Sequence, residues 1–187
     1  MRVAIYGGSF NPPHLGHAMV AAWLTWTDQV DAVWLVPVAG HAFGKNLAPF
    51  ERRCAWCEAL GEAVGPSIRV CSIEEQLPKP SYTLNTLRAL QERWPEHSFR
   101  LVIGADTLPQ TPQWHRWSEI EADFAPIVVG RAGYESPEDM PVFPGISSTD
   151  VRERMAQDRP VSALVPATVM AKIDPEDIRR WRELFGS

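Results

Sequence analysis

At 187 residues, with 45% hydrophobic and 22% charged side chains, the chain has the size and composition of one globular domain with a full core. A net charge of −5 with scattered Lys and Arg excludes the basic footprint of a nucleic-acid-polymer binder, and no apolar run approaches the roughly 20 residues of a membrane span. Three cysteines, an odd number, give no disulfide framework, and no basic-then-apolar leader opens the chain, so a reducing cytoplasm is the expected location.

Residues 2–6 have the β-branched and aromatic content of a buried strand, and residues 15–24 are apolar enough for a helix packed on it. Gly7-Gly8 and Pro12-Pro13 lie between them, where an irregular join is expected. Strand, glycine turn and helix start together present backbone N–H groups to a phosphate, and His14 and His17 stand at that anion-binding end. Residues 32–38 read as a second strand, 50–63 as a helix and 68–72 as a third strand. The amphipathic stretch 84–94 is a helix stopped by Pro95. Residues 99–103 form a fourth strand that runs into Gly104-Ala105-Asp106, followed by a short helix at 115–124 and a fifth strand across 126–129. Val142-Phe143 can make a short strand within a proline-rich loop, and helices at 147–157, 167–173 and 175–185 close the chain.

Alternating strands and helices predict an α/β fold: a single domain over 1–187, Rossmann-like and doubly wound on a mostly parallel sheet, with a small helical region at the C-terminal end. Such sheets bind ligands at the carboxyl ends of their strands, where the strand order reverses. Residues 7–17, 37–45, 104–106 and 130–134 fall there.

Other phosphate and nucleophile motifs are absent. The G-x-G-x-x-G fingerprint fails because the glycine after Gly7-Gly8 is Gly16, and the stretch from Gly40 to Asn46 lacks P-loop spacing and its Ser or Thr. Lys45 remains a cation near a strand end. No G-x-S-x-G elbow supplies a nucleophile. Cys54-Ala-Trp-Cys57 lies inside a helical stretch and reads as structural. Of eight tryptophans, Trp23, Trp26, Trp34 and Trp56 read as core, whereas Trp114 sits in a proline-rich loop beside the fourth strand's end.

His14-Leu15-Gly16-His17 and Ile146-Ser147-Ser148-Thr149-Asp150-Val151-Arg152, roughly 130 residues apart and in the right order, resemble the two signatures of the H-x-G-H nucleotidyltransferases. Ser81-Tyr82-Thr83-Leu84-Asn85-Thr86-Leu87, Ile103-Gly104-Ala105-Asp106-Thr107 with Trp114 beyond, and Arg131-Ala132-Gly133-Tyr134 are similar to one branch, the bacterial nicotinate-nucleotide adenylyltransferases. Leu164-Val165-Pro166 is a weaker match, Asn11 resembles the nicotinamide-mononucleotide branch, and the loop around 41–45 and the chain's end depart from the usual pattern.

The resemblance implies adenylyl transfer from ATP to a pyridine mononucleotide, with magnesium carried in by ATP and no dedicated protein metal cage. It implies His14, His17 and Arg152 as catalytic residues, donating to the transferred phosphoryl and to the leaving phosphates. ATP contacts are implied for Gly7, Gly8, Ser9, Phe10, Gly16, Lys45, Gly104, Asp106, Ile146, Ser147, Ser148 and Thr149. Thr83, Trp114, His115 and Arg131 fall on the mononucleotide side. The expected acceptor is nicotinate mononucleotide, because the start of the helix at residue 84 offers donors to a carboxylate. Nicotinamide mononucleotide or another phosphate acceptor is the alternative. A non-catalytic nucleotide-binding module is disfavoured, since pure binding needs no charge stabilisation at the transferring phosphoryl.

Overall fold

The computed structural model describes residues 1–40, 47–79 and 81–185. Its centre is a six-stranded sheet, parallel throughout. The strands are β1 (Arg2–Gly8), β2 (Ala32–Pro37), β3 (Ile68–Val70), β4 (Ser98–Gly104), β5 (Ile127–Arg131) and β6 (Val142–Phe143). They lie in the order β3-β2-β1-β4-β5-β6, so the direction of winding reverses between β1 and β4. The crevice above the carboxyl ends of those two strands is where a ligand belongs in such a sheet.

The helices are α1 (Leu15–Trp26), α2 (Phe50–Val64), α3 (Thr83–Arg93), α4 (Trp117–Phe124), α5 (Ser148–Ala156), α6 (Ala167–Met170) and α7 (Pro175–Phe185). Alternation along each strand sorts the core into two layers. Ala4, Val33, Leu35, Val102 and Val129 face one side, where they pack on apolar residues of α1, α2, α5, α6 and α7. Val3, Ile5, Trp34, Leu101 and Ile103 face the other, beneath Leu84, Leu87 and Leu90 of α3 and Ile120 and Phe124 of α4. The strands are apolar on both faces because both are covered. No described helix is long and apolar enough to cross a membrane.

Three local expectations need correction. β1 does not stop before the glycines: Gly7 and Gly8 continue in register beside Val36 and Pro37, and the Gly8 carbonyl accepts the Val38 N–H at 3.0 Å. Ladder bonding outweighs glycine's poor strand propensity, and a Cβ on Gly8 would press on the Phe10 ring at 3.3 Å. Trp26 is not core but 87% exposed. It lies two positions beyond buried Leu24, which on a helix is nearly the opposite side. Finally, α4 begins at Trp117, because Arg116 takes a left-handed φ of 55° after the 3-10 turn Leu108–Gln113. The cysteines of α2 behave as structural groups: burial pushes the Cys54 thiol up to about 11 and raises Cys57 well above the ordinary thiol value, opposite to a reactive thiolate.

Candidate active site

The loop leaving β1 folds its apolar side chain inward and its histidines toward the crevice. Phe10, with φ 46°, is buried, its ring 5.0 Å from His17 and edge-on to Tyr6 at 5.8 Å. His14 is the N-cap of α1, in extended backbone geometry, and its N–H donates to His17 Nδ1 at 3.1 Å. That bond makes Nδ1 an acceptor, so neutral His17 carries its proton on Nε2. The two rings lie 3.8 Å apart, centroid to centroid. Gly16 makes this possible, since a Cβ there would come within 3.0 Å of the His14 ring. The space Gly16 opens is therefore taken by His14 as well as being open to a ligand.

Burial, with Arg131's charge second, holds His14 down at about 3. His17 is lowered well below the ordinary imidazole value by burial, by His14 and by Arg131. Both rings are neutral near pH 7, each with one N–H to give. Among the described residues His14 Nδ1 is buried without a hydrogen-bond partner, a polar atom that a ligand could satisfy.

Around the histidines the pocket is lined by Tyr6, Gly16 and Val20, by Gly104 at the end of β4 and Asp106 just beyond it, and by Gly130, Arg131, Phe143 and Ile146. Arg131 Nη1 meets Asp106 Oδ2 at 2.6 Å, and its Nη2 donates to the Ile146 carbonyl at 2.9 Å. One guanidinium thus ties the end of β4 to the segment that enters α5. Gly104 leaves room for that carboxylate, which a Cβ would overlap. Tyr6, whose hydroxyl is raised by burial and by Asp106, was not signalled by any motif; its place in a strand hid it.

The second signature is bonded to the first. Ser147 Oγ caps α5 by accepting the Asp150 N–H at 3.1 Å. Ser148 Oγ donates to the Pro12 carbonyl at 2.8 Å. Arg152 Nη1 donates to the Asn11 carbonyl at 2.6 Å, and Nη2 to Thr149 Oγ1 at 3.3 Å. Burial lowers the Arg152 guanidinium, yet no carboxylate bonds it among the described residues. Leu164 supplies a third tie: its carbonyl accepts the Leu15 N–H at 2.8 Å. One of α1's first N–H groups is thereby used within the protein, leaving fewer for a phosphate than the sequence suggests.

Arg53 of α2 is another residue no motif disclosed. It is buried, and its guanidinium donates to the carbonyls of Ala48, Ser9 and Val38 at 3.0, 3.0 and 2.7 Å. It fastens the loops leaving β1 and β2 to one another.

A second cluster stands apart from the histidine pocket. Tyr82, just before α3, stacks on His115 with centroids 4.7 Å apart and planes 28° apart, and both are exposed. Thr83 opens α3, and half-buried Trp114 packs its edge on Trp117 at 5.9 Å. The N–H of Asn85 is taken by the Tyr82 carbonyl at 2.9 Å, so the α3 start offers fewer free donors than expected.

Of the residues singled out from the sequence, His14, Gly16, His17, Gly104, Asp106, Arg131 and Ile146 share one pocket. Gly7, Gly8, Ser9, Phe10, Ser147, Ser148, Thr149 and Arg152 form the framework beside it. Thr83, Trp114 and His115 belong to the second cluster. Lys45 lies outside the described residues. No group of three or more His, Cys, Asp or Glu able to hold a metal exists among the described residues.

Comparison with known proteins identifies the family. A family profile described as cytidylyltransferase-like matches residues 5–154. A relative from Anaeromyxobacter sp. (strain K), named a probable nicotinate-nucleotide adenylyltransferase, is 41% identical across 95% of this chain and 96% of its own. One of the same name from Myxococcus xanthus is 39% identical across 91% and 90%. In fold, the chain is similar to the Plasmodium falciparum nicotinic acid mononucleotide adenylyltransferase solved with NaAD: TM-score 0.73, 17% identity, 92% of this chain and 94% of the other covered. With the two signatures joined at one crevice and this similarity along nearly its whole length, the chain belongs to the nicotinate-nucleotide adenylyltransferase family of cytidylyltransferase-like proteins.

Proposed function

We propose that the protein joins ATP and nicotinate mononucleotide into the dinucleotide deamido-NAD, releasing pyrophosphate. The observation that carries this reading is the bonding of the two signatures: His17 and Arg152 are both fixed to the loop after β1, His17 at His14 and Arg152 at Asn11.

A mononucleotide phosphate has its second pKa near 6 and is largely dianionic at neutral pH. Its oxygen attacks the α-phosphorus of ATP; the new P–O bond forms as the bond to the β-phosphate oxygen breaks, and pyrophosphate departs. No proton must be removed, so no general base is required. The depressed His14 agrees, because a group at about 3 is a poor base but a stable neutral donor. His14 and His17 donate to oxygens of the transferred phosphoryl, and Arg152 holds the departing phosphates. Ser147, Ser148 and Thr149 present the start of α5 to them. Magnesium arrives with ATP as part of the substrate, and supplies charge neutralisation while needing few protein ligands, with Asp106 the carboxylate in the pocket. Thr83, Trp114 and His115 take the pyridine end, and Arg131 serves the mononucleotide from the histidine pocket through its pair with Asp106.

Pyrophosphate release with ATP and either pyridine mononucleotide tests this. Nicotinate mononucleotide is expected to exceed nicotinamide mononucleotide by at least about tenfold in kcat/KM, roughly 1.4 kcal/mol. Equal or better efficiency with the amide overturns the acceptor, and no pyrophosphate with either overturns the reaction.

A further inference from the structure

The closing helix α7 is held firmly at its first two turns. Asp177 is buried and ion-paired with Arg52, and its Oδ2 accepts the Asp174 N–H at 3.0 Å. One turn on, Trp181 is buried with its ring 6.1 Å from Trp56. Arg182 reaches across to Asp158 at 2.6 Å. Asp177, Trp181 and Phe185 recur at four-residue spacing and share one helix face. The anchored face therefore delivers Phe185 at a fixed place, where the Arg152 guanidinium carbon lies 5.5 Å from its ring centroid.

Arg152 needs such support more than most arginines. Its Nη atoms bond to a carbonyl and a hydroxyl, and its Nε is buried with no partner among the described residues. A carboxylate would orient the guanidinium but would also neutralise it and compete with an incoming phosphate. An aromatic face orients the cation and leaves its charge and its N–H edge to an anion.

We infer that Phe185 is a positioning residue for ATP: its ring fixes the Arg152 guanidinium in the plane in which it meets the phosphates, so the chain's last helix completes a site built mainly from its first loop. This rests on the reading of Arg152 as an ATP ligand.

The test is steady-state kinetics on the full chain with ATP and nicotinate mononucleotide, together with thermal midpoints. Phe185→Ala and Phe185→Leu are expected to raise the KM for ATP about three- to tenfold. The KM for the mononucleotide should stay within about twofold, and Phe185→Trp should recover most of the ATP affinity. Phe185→Leu keeps an apolar cover, so normal ATP affinity in that variant would reduce Phe185 to packing and overturn the inference. In an Arg152→Ala background, Phe185→Leu should add nothing; a further rise there shows that Phe185 acts through something else. If Arg152→Ala alone leaves ATP binding unchanged, the reading of Arg152 itself falls, a result distinct from failure at Phe185.

Discussion

Arg131 and Arg152 both bond to segments that carry the signatures, but they are held in opposite ways. Arg131 shares its charge with Asp106 at 2.6 Å and donates to the Ile146 carbonyl. Arg152 bonds to the Asn11 carbonyl and a threonine hydroxyl and rests against a phenylalanine ring. The first is a charge paired with a carboxylate and braces two chain segments; the second has no carboxylate bonded to it among the described residues, which suits the anion-binding role proposed for it. Two arginines of one site can thus differ in function by their partners alone.

His17 sets the scale of that comparison. His17→Ala is expected to lower kcat by about 10²–10³, the cost of removing one preorganised donor, with the circular dichroism spectrum retained. Near-normal turnover would mean that the arginines, and not the imidazoles, stabilise the transferred group.

A smaller effect separates the two arginines directly. Arg131→Gln leaves Asp106 unpaired beside the incoming phosphates and should lower kcat/KM about tenfold or more, within the roughly 1.5–3 kcal/mol of a charge-assisted contact. Adding Asp106→Asn should then recover part of the loss, because the stranded carboxylate is gone. A double variant no better than Arg131→Gln alone would place Arg131 with Arg152, as a group whose charge meets substrate.

A last prediction, read in stability and not in turnover, concerns the histidines that Arg131 helps keep neutral. His14 sits at about 3 in the folded protein against an ordinary 6.5, so between these values the unfolded chain binds more protons. Stability therefore falls as pH drops through that window, by about 1.4 kcal/mol per pH unit where the difference is a full proton. His14→Asn, measured by urea midpoints at pH 6, 5 and 4, should remove that part of the slope. An unchanged slope would show that His14 is not buried in its neutral form.

The sheet and the signatures were legible because they use side chains with a period or a fixed spacing. α7 matches its expected bounds, and Val142-Phe143 is the short strand foreseen. What escaped notice works through backbone groups or lone charges. The Leu164 carbonyl that takes the Leu15 N–H, and the three carbonyls that gather on Arg53, carry no sequence mark. Tyr6 reads as one more strand aromatic, and only the register shows that it faces the histidines. Trp26 misled for the reverse reason: composition assigned it to the core, while its angular place on α1 decides its exposure.

The bonds from Arg152 to Asn11, from Ser148 to Pro12 and from Leu15 to Leu164 bear on the order in which the molecule becomes competent. On a ribosome the histidine loop emerges early, and β1, β2 and β3 can pair while the rest is still being made. The partners that lock the loop lie far downstream, and contacts of such sequence separation are slow to close. A nascent chain can thus hold a nearly finished half-sheet and still lack a working phosphate site, which appears only when its distant end comes home.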